Sequence, residues 1–182
     1  MSAPLSGAED HVLIVGAGLI GLGVGWQLAR QGCRVTILEA MRVGERVAST
    51  AAAGMLAATA EVNFEEEALL ALNHLSSSLY AGFVEELEAA TRMSVDYRTR
   101  GSLVIALDRD DTEALQRLLA YQRRQQLEAS FLSGEEAREL EPALAPGVHS
   151  AVLCPRDYQV NPVLLLEALH RAFVSASSNS TG

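Results

Sequence analysis

Apolar positions along the chain fall into short unbroken runs near the N-terminus and longer stretches of helical period further on. His11-Val-Leu-Ile-Val15 is a run of aliphatic, mostly β-branched residues that stops at glycine, the pattern of a buried parallel strand. Leu19 to Gln31 predicts a helix, closed by Gly32 as its C-terminal stop. Arg34-Val-Thr-Ile-Leu-Glu39 predicts a second buried strand. Strand, helix and strand within about thirty residues make a βαβ unit, whose crossover is expected to be right-handed.

Beyond this unit, Val43–Ala60 is rich in Ala, Ser and Gly and carries no charge after Arg46. Glu65–Thr91 predicts a long amphipathic helix, with Leu69, Leu72, Leu75, Leu79, Phe83 and Leu87 marking one face. Ser102–Leu107 reads as a strand behind Gly101, and Asp111–Leu127 as a helix with a charged outer face. Ser133-Gly-Glu-Glu136 has the Ser-x-x-Glu form of a capping box, opening a short helix that ends before Pro142. Val148–Leu153 is strand-like. Asn161-Pro162 supplies an N-cap and a first-turn proline for a helix to about Phe173. The small polar tail Ser175–Gly182 has nothing to bury and is expected to be disordered. The chain shows no internal repeat.

Composition narrows the class. With 182 residues, 49% hydrophobic and 20% charged, the chain has the apolar side chains for a core. Its 14 Lys and Arg against 23 Asp and Glu give a net charge of −9, which argues against a nucleic-acid or anionic-membrane partner. Two cysteines, Cys33 and Cys154, make no disulfide framework and no metal-ligand spacing, and read as reduced thiols of a cytoplasmic protein. The uncharged stretch Val12–Ala29 approaches bilayer-spanning length, but its five glycines and acidic Glu9-Asp10 flank argue against a membrane span or a signal peptide.

Candidate chemistry sits at the first strand-to-helix turn. Gly16-Ala-Gly18-Leu-Ile-Gly21 is a Gly-x-Gly-x-x-Gly with a strand before it, a helix after it and Glu39 at the end of the second strand. Gly16 permits the tight turn, Gly18 lets backbone approach a pyrophosphate, and Gly21 lets the helix pack close to the strand. Gly25 and Gly32 fit close packing of the same helix. The helix N-terminus presents amides to the phosphates, while Glu39 would accept hydrogen bonds from ribose hydroxyls and disfavour a 2′-phosphate. This fingerprint does not separate FAD from NAD.

The following run, Arg46-Val-Ala-Ser-Thr-Ala-Ala-Ala-Gly54-Met55-Leu56, would let backbone come close to a flat ring, with hydroxyls from Ser49 and Thr50. Taken by itself, an alanine run also suits an ordinary helix interior. Together, the fingerprint, Glu39 and Ser-Thr-Ala-Ala-Ala-Gly-Met-Leu-Ala-Ala-Thr-Ala-Glu61 resemble the FAD-dependent D-amino-acid oxidase family, most nearly its glycine oxidase branch, associated with thiamine biosynthesis. Gly101-Ser-Leu-Val-Ile-Ala, Leu132-Ser-Gly-Glu-Glu-Ala-Arg-Glu-Leu-Glu-Pro142 and Pro155-Arg-Asp157-Tyr-Gln-Val-Asn-Pro162 resemble later pieces of the family. The similarity runs from about residue 11 to 173. Val47-Ala48 depart from it, standing where related sequences often carry hydroxyl residues.

The resemblance implies an α/β fold: a Rossmann-like, glutathione-reductase-like FAD-binding domain with part of an α+β substrate domain. The expected division is a βαβ unit and flavin loop at 11–60, elements shared between the FAD and substrate domains at 61–174, and the tail at 175–182. It implies that Gly16, Gly18, Leu19, Ile20, Gly21, Glu39, Ala40, Arg46, Ser49, Thr50, Ala53, Gly54 and Met55 contact FAD, with Met55 also bordering the substrate pocket. The implied reaction oxidises glycine or a similar small amine by hydride transfer to FAD, with oxygen as co-substrate and peroxide as product; sarcosine and D-amino acids are the alternative substrates. In the family the chain continues about as long again, and that half carries the arginine that pairs with the substrate carboxylate. The catalytic residues are therefore expected beyond residue 182, and a homo-oligomer is expected for the full-length form. This chain alone is expected to retain FAD partially or not at all and to leave glycine unoxidised; the alternative is a nucleotide-binding or interaction fragment without turnover. His11, His74, His149 and His170 read as surface or capping residues, Glu135-Glu136 as helix N-terminal charge, and Arg98 and Arg100 as a solvated strand edge.

Overall fold

The computed structural model describes residues 11–45, 48–62 and 67–179. The chain passes through β1 (His11–Val15), α1 (Leu19–Arg30), β2 (Arg34–Leu38), α2 (Ala48–Ala51), β3 (Met55–Leu56) and α3 (Glu67–Thr91). It continues through β4 (Ser102–Ala106), α4 (Arg109–Arg124), β5 (Ser130–Ser133), α5 (Gly134–Leu140), β6 (Ser150–Cys154), β7 (Tyr158–Gln159) and α6 (Pro162–Asn179). These elements form two compact units interleaved along the sequence, one from 1–54, 81–97 and 160–182, the other from 55–80 and 98–159.

In the first unit β1 and β2 pair in parallel, His11 opposite Arg34 through Val15 opposite Leu38, with α1 as their crossover. Trp26, 2% exposed, meets the Phe83 ring edge-on at 5.8 Å, and the Arg30 guanidinium lies over its indole at 4.9 Å. A β-carbon on Gly25 would press on Ile37 and the Phe173 ring, so this glycine does serve close packing. Gly32 does not: a β-carbon there would meet nothing, and its φ of +87° shows that it ends the helix by a left-handed turn. The expectation of buried strands is corrected in one respect. Leu13, Val15 and Leu38 are exposed, because α1 covers one face of this two-stranded sheet and no described element covers the other.

In the second unit β4, β6 and β5 form an antiparallel sheet in that order, with Ser102 opposite Cys154 and Ser133 opposite Ser150. Ala106, Val152 and Cys154 pack with Leu115 and Leu119 of α4, which Asp108 caps by accepting the Asp111 amide. The Ser133–Glu136 capping box is formed in both directions, as its spacing predicts. The short antiparallel pair β3–β7 sets Leu56 opposite Tyr158.

Two expectations need correction. Of the expected apolar face of α3, Leu87 is buried and Phe83 half-buried, but Leu69, Leu72, Leu75 and Leu79 are exposed; Leu70, Val84 and Thr91 are the helix's other buried positions. The predicted disordered tail is helical through Asn179, because α6 continues past Phe173 on its backbone hydrogen-bond ladder, and 180–182 lie outside the described residues. The alanine-rich segment holds only the four-residue α2, interrupted at Gly54. No described helix is long and apolar enough to cross a membrane; Val12–Ala29 is divided between β1, a turn and α1.

Candidate functional site

At the end of β1 the chain reverses at Gly16, whose φ of +99° is accessible to glycine without steric cost. The Gly16 amide donates to the Leu38 carbonyl at 2.8 Å, tying the turn to the end of β2. Gly18 is the N-cap of α1 and has no side chain with which to cap it. The first-turn amides therefore lack the usual internal acceptor. That of Leu19 donates to Ser49 Oγ at a long 3.4 Å, and those of Ile20 and Gly21 belong to the same turn. A β-carbon on Gly21 would collide with the Gly16 carbonyl oxygen and reach Ile14 Cγ2 at 3.4 Å. The third glycine thus permits the turn itself as well as the approach of helix to strand.

Glu39 follows β2 directly. Its Oε2 accepts the Ala17 amide at 2.7 Å, and its Oε1 accepts the amides of Ala40 at 2.7 Å and Met41 at 3.4 Å. These three donors, Ala17 foremost, hold the carboxyl below the usual glutamate value. A carboxylate offers about four acceptor positions, so one side chain can clasp the glycine turn and still receive a ligand hydroxyl. Val15 (87%), Ile20 (82%) and Leu38 (52%) are exposed here, at the carboxyl ends of the two parallel strands where open α/β sheets bind their ligands.

Ser49 and Thr50 are half-buried on α2, while Ala40 and Ala53 are exposed. Gly54 has φ +79°, and a β-carbon there would strike the Val160 carbonyl oxygen. The Val160 amide donates back to the Gly54 carbonyl at 2.9 Å, closing the segment against the start of α6. Gly16, Gly18, Leu19, Ile20, Gly21, Glu39, Ala40, Ser49, Thr50, Ala53 and Gly54 all lie in the first unit. Arg46 and Val47 lie outside the described residues.

Met55 begins β3 in the second unit, where it lines a cavity of about 300 Å³ with Glu61, Asn73, Tyr80 and Tyr158 among others. Behind this wall stands a residue to which the sequence reading gave no role. Asp157, 0% exposed, accepts the amides of Thr59 and Ala60, each at 2.8 Å, and the Ser102 hydroxyl at 3.0 Å. Gln122, also 0% exposed, donates to the Thr59 carbonyl at 2.9 Å. The turn after β3 is therefore held on both its amide and its carbonyl sides. Nothing in the spacing of Asp157 announces this, because its backbone partners are 97 and 98 residues away.

Three of the other polar candidates make structural contacts. His11 Nε2 bonds Thr36 Oγ1 at 2.9 Å, and His149 Nδ1 bonds Thr112 Oγ1 at 3.0 Å. Arg98 exchanges backbone hydrogen bonds with Gln159, at 2.8 and 3.0 Å.

A βαβ unit with a glycine turn at the helix N-terminus and an acid at the end of its second strand defines a dinucleotide-binding fold. Residues 11–177 match the family model described as FAD dependent oxidoreductase, and the chain belongs to that family. Its sequence is similar to glycine oxidase of Geobacillus kaustophilus, with 34% identity over 92% of this chain and 44% of the relative. It is similar to glycine oxidase of Bacillus subtilis, with 29% identity over 89% of this chain and 42% of the relative. The crystal structure of the Geobacillus kaustophilus enzyme superposes with a TM-score of 0.86 over 92% of this chain and 45% of that one. L-α-glycerophosphate oxidase of Mycoplasma pneumoniae, with FAD bound, shares the fold at a TM-score of 0.73, with 22% identity over 92% of this chain and 43% of its own. FAD is the cofactor of the family. The chain spans under half the length of the curated relatives it matches.

Proposed function

We propose that the first unit binds FAD and that the whole protein oxidises glycine or a similar small amine, with sarcosine or D-amino acids as the alternative substrates. The observation that supports this most is the pairing of an N-terminus lacking an N-cap side chain on α1 with Glu39 clasped to the same turn. The residues present fit the cofactor's chemistry. The first-turn amides and the positive end of the helix dipole suit the diphosphate, and Gly18 leaves the backbone beside Ser49 bare of a side chain, where a β-carbon would lie in ordinary contact with Ser49 Oγ at 3.6 Å. Glu39 receives ribose hydroxyls and repels a 2′-phosphate. Ser49, Thr50, Ala53 and Gly54 offer hydroxyls and close-lying backbone to the rest of the cofactor, and Met55 borders the substrate. Bound there, FAD would supply the redox chemistry, hydride acceptance from the amine α-carbon with oxygen as the final oxidant and peroxide as its product. The chain's own contribution is binding and orientation of the cofactor.

The test is a titration of the purified chain with FAD, followed by flavin fluorescence and absorbance, with peroxide measured on adding glycine. Partial, reversible retention without peroxide is expected, together with weaker binding by Glu39→Gln and Gly18→Val. Flavin signals that do not change at saturating protein would overturn the cofactor assignment. Stoichiometric yellow protein releasing peroxide would overturn the placement of the catalytic residues beyond residue 182. For the whole protein, a panel of glycine, sarcosine and D-amino acids identifies the substrate.

A further inference from the structure

We infer that the outer face of α4 is a docking surface for an acidic helical segment of another protein, one whose carboxylates stand about two turns apart. Among the described residues, Ala114, Arg117, Ala120 and Arg124 line a furrow of about 520 Å³. All four are exposed and all belong to α4, whose buried side carries Leu115, Leu119 and Gln122. Seven positions separate Arg117 from Arg124, a distance of about 10 Å along the helix axis. Ala120 between them keeps the floor low, which lets a second helix come within the ~8–10 Å of ordinary helix packing.

The charge of this face is not that of the chain. From Ala114 to Leu127 there are three arginines and no acid, in a chain of net charge −9. Complementing the helix dipole accounts for Arg123 and Arg124 in the last turn, but not for Arg117, about two turns earlier. Glu113, the acid that precedes Arg117 in sequence, pairs with Arg109 at 3.4 Å. Among the described residues neither Arg117 nor Arg124 is ion-paired. Arg124 is instead held over the Tyr121 ring at 5.8 Å, a contact that leaves its N–H donors for a carboxylate. Screening confines the field of an exposed guanidinium to about 8 Å at physiological salt, so a sparsely charged acidic helix meets the two arginines alone. A dense polyanion such as a polyphosphate, a nucleic acid or an anionic membrane also faces the negative surface around them and is disfavoured.

The full chain, isotopically labelled, is titrated by NMR at physiological ionic strength with a helical alanine-based peptide whose glutamates stand at the Arg117–Arg124 spacing. Saturable amide shifts on α4 are expected. Arg117→Gln and Arg124→Gln should each weaken binding about five-fold, the scale of one exposed ion pair. The double variant should weaken it about 25-fold, since groups about 10 Å apart act independently. Both side chains are exposed, so the variants keep the fold, which unchanged amide spectra away from α4 verify. The control Arg171→Gln, on α6, should bind as the parent does. Equal affinity in the double variant, an equal response to a peptide with its glutamates adjacent, or shifts that never saturate would each overturn the surface. Tighter binding of sodium tripolyphosphate or of phosphatidylserine vesicles would overturn it too, in favour of a general anion site.

Discussion

Replacing Asp157 by alanine is expected to be among the most damaging single changes in the second unit. The carboxylate is fully buried and accepts from Thr59, Ala60 and Ser102. Its removal leaves two backbone amides with no acceptor in the place it vacates. Each buried orphan costs about 1–3 kcal/mol, whereas the Ser102 hydroxyl can rotate toward another acceptor, so the loss is about 3–5 kcal/mol. Asp157→Asn keeps one acceptor oxygen but turns an NH₂ toward donors, and should lose roughly half as much. Urea unfolding followed by far-UV circular dichroism reads this directly. With a slope of ~2 kcal/mol per molar, Asp157→Ala moves the midpoint down by about 1.5–2.5 M, and Asp157→Asn moves it by about half of that. A loss under about 1 kcal/mol for Asp157→Ala would refute the reasoning, since the two amides would then have found other partners.

Gly54→Ala should lower the melting temperature sharply, because the φ of +79° costs an alanine about 1–2 kcal/mol before its β-carbon meets the Val160 oxygen; an unchanged melting temperature refutes the assignment. The carboxyls of Glu39, Glu128 and Glu136 are held below the usual glutamate value of 4.5 by the Ala17 amide, by Arg156 and by the Ser133 amide respectively. Their stabilisation is thus complete above that value and is lost as pH falls through the lowered folded values, so chemical stability measured from pH 6 downward should begin to drop below about 4.5. The Cys154 thiol is pushed up to about 12, first by burial and then by the Asp157 charge, and should resist iodoacetamide at pH 8.5 until the chain is unfolded; rapid alkylation of the folded protein contradicts this. Leu75→Glu, in the exposed stripe of α3, should reduce self-association seen by analytical ultracentrifugation, and unchanged sedimentation excludes that face.

The βαβ unit was legible because its cues are local. An unbroken apolar run, three glycines at fixed spacing and an acid at the strand end each act within a few residues of themselves, and Gly16, Gly21 and Glu39 stand in the structure as that logic requires. The capping box at Ser133 and the N-cap at Asn161, whose Oδ1 accepts the Val163 and Leu164 amides, were legible for the same reason. The misreadings share the opposite cause. The leucine stripe of α3 has helical period, but period says nothing about whether another element covers that face. β3, β5 and β7 are two to four residues long and acquire strand geometry only from distant partners, as Met55 does from Gln159. Asp157 and Gln122 look like ordinary polar residues until the fold brings Thr59 to them.

The approach of Gly54 to Val160 carries a consequence for synthesis on the ribosome. The glycine turn, Glu39 and α2 are all translated within the first third of the chain, yet the carbonyl and amide that close the Gly54 segment follow roughly a hundred residues later. At ~5–20 residues per second that is a wait of about 5–20 s, during which β1 and α1 are exposed without α6, the helix that later packs on α1. The nascent segment must therefore stay unaggregated with the face of α1 that α6 later covers still open. A slowly translated copy, or one stalled before Val160, is the form of this protein most in need of a chaperone.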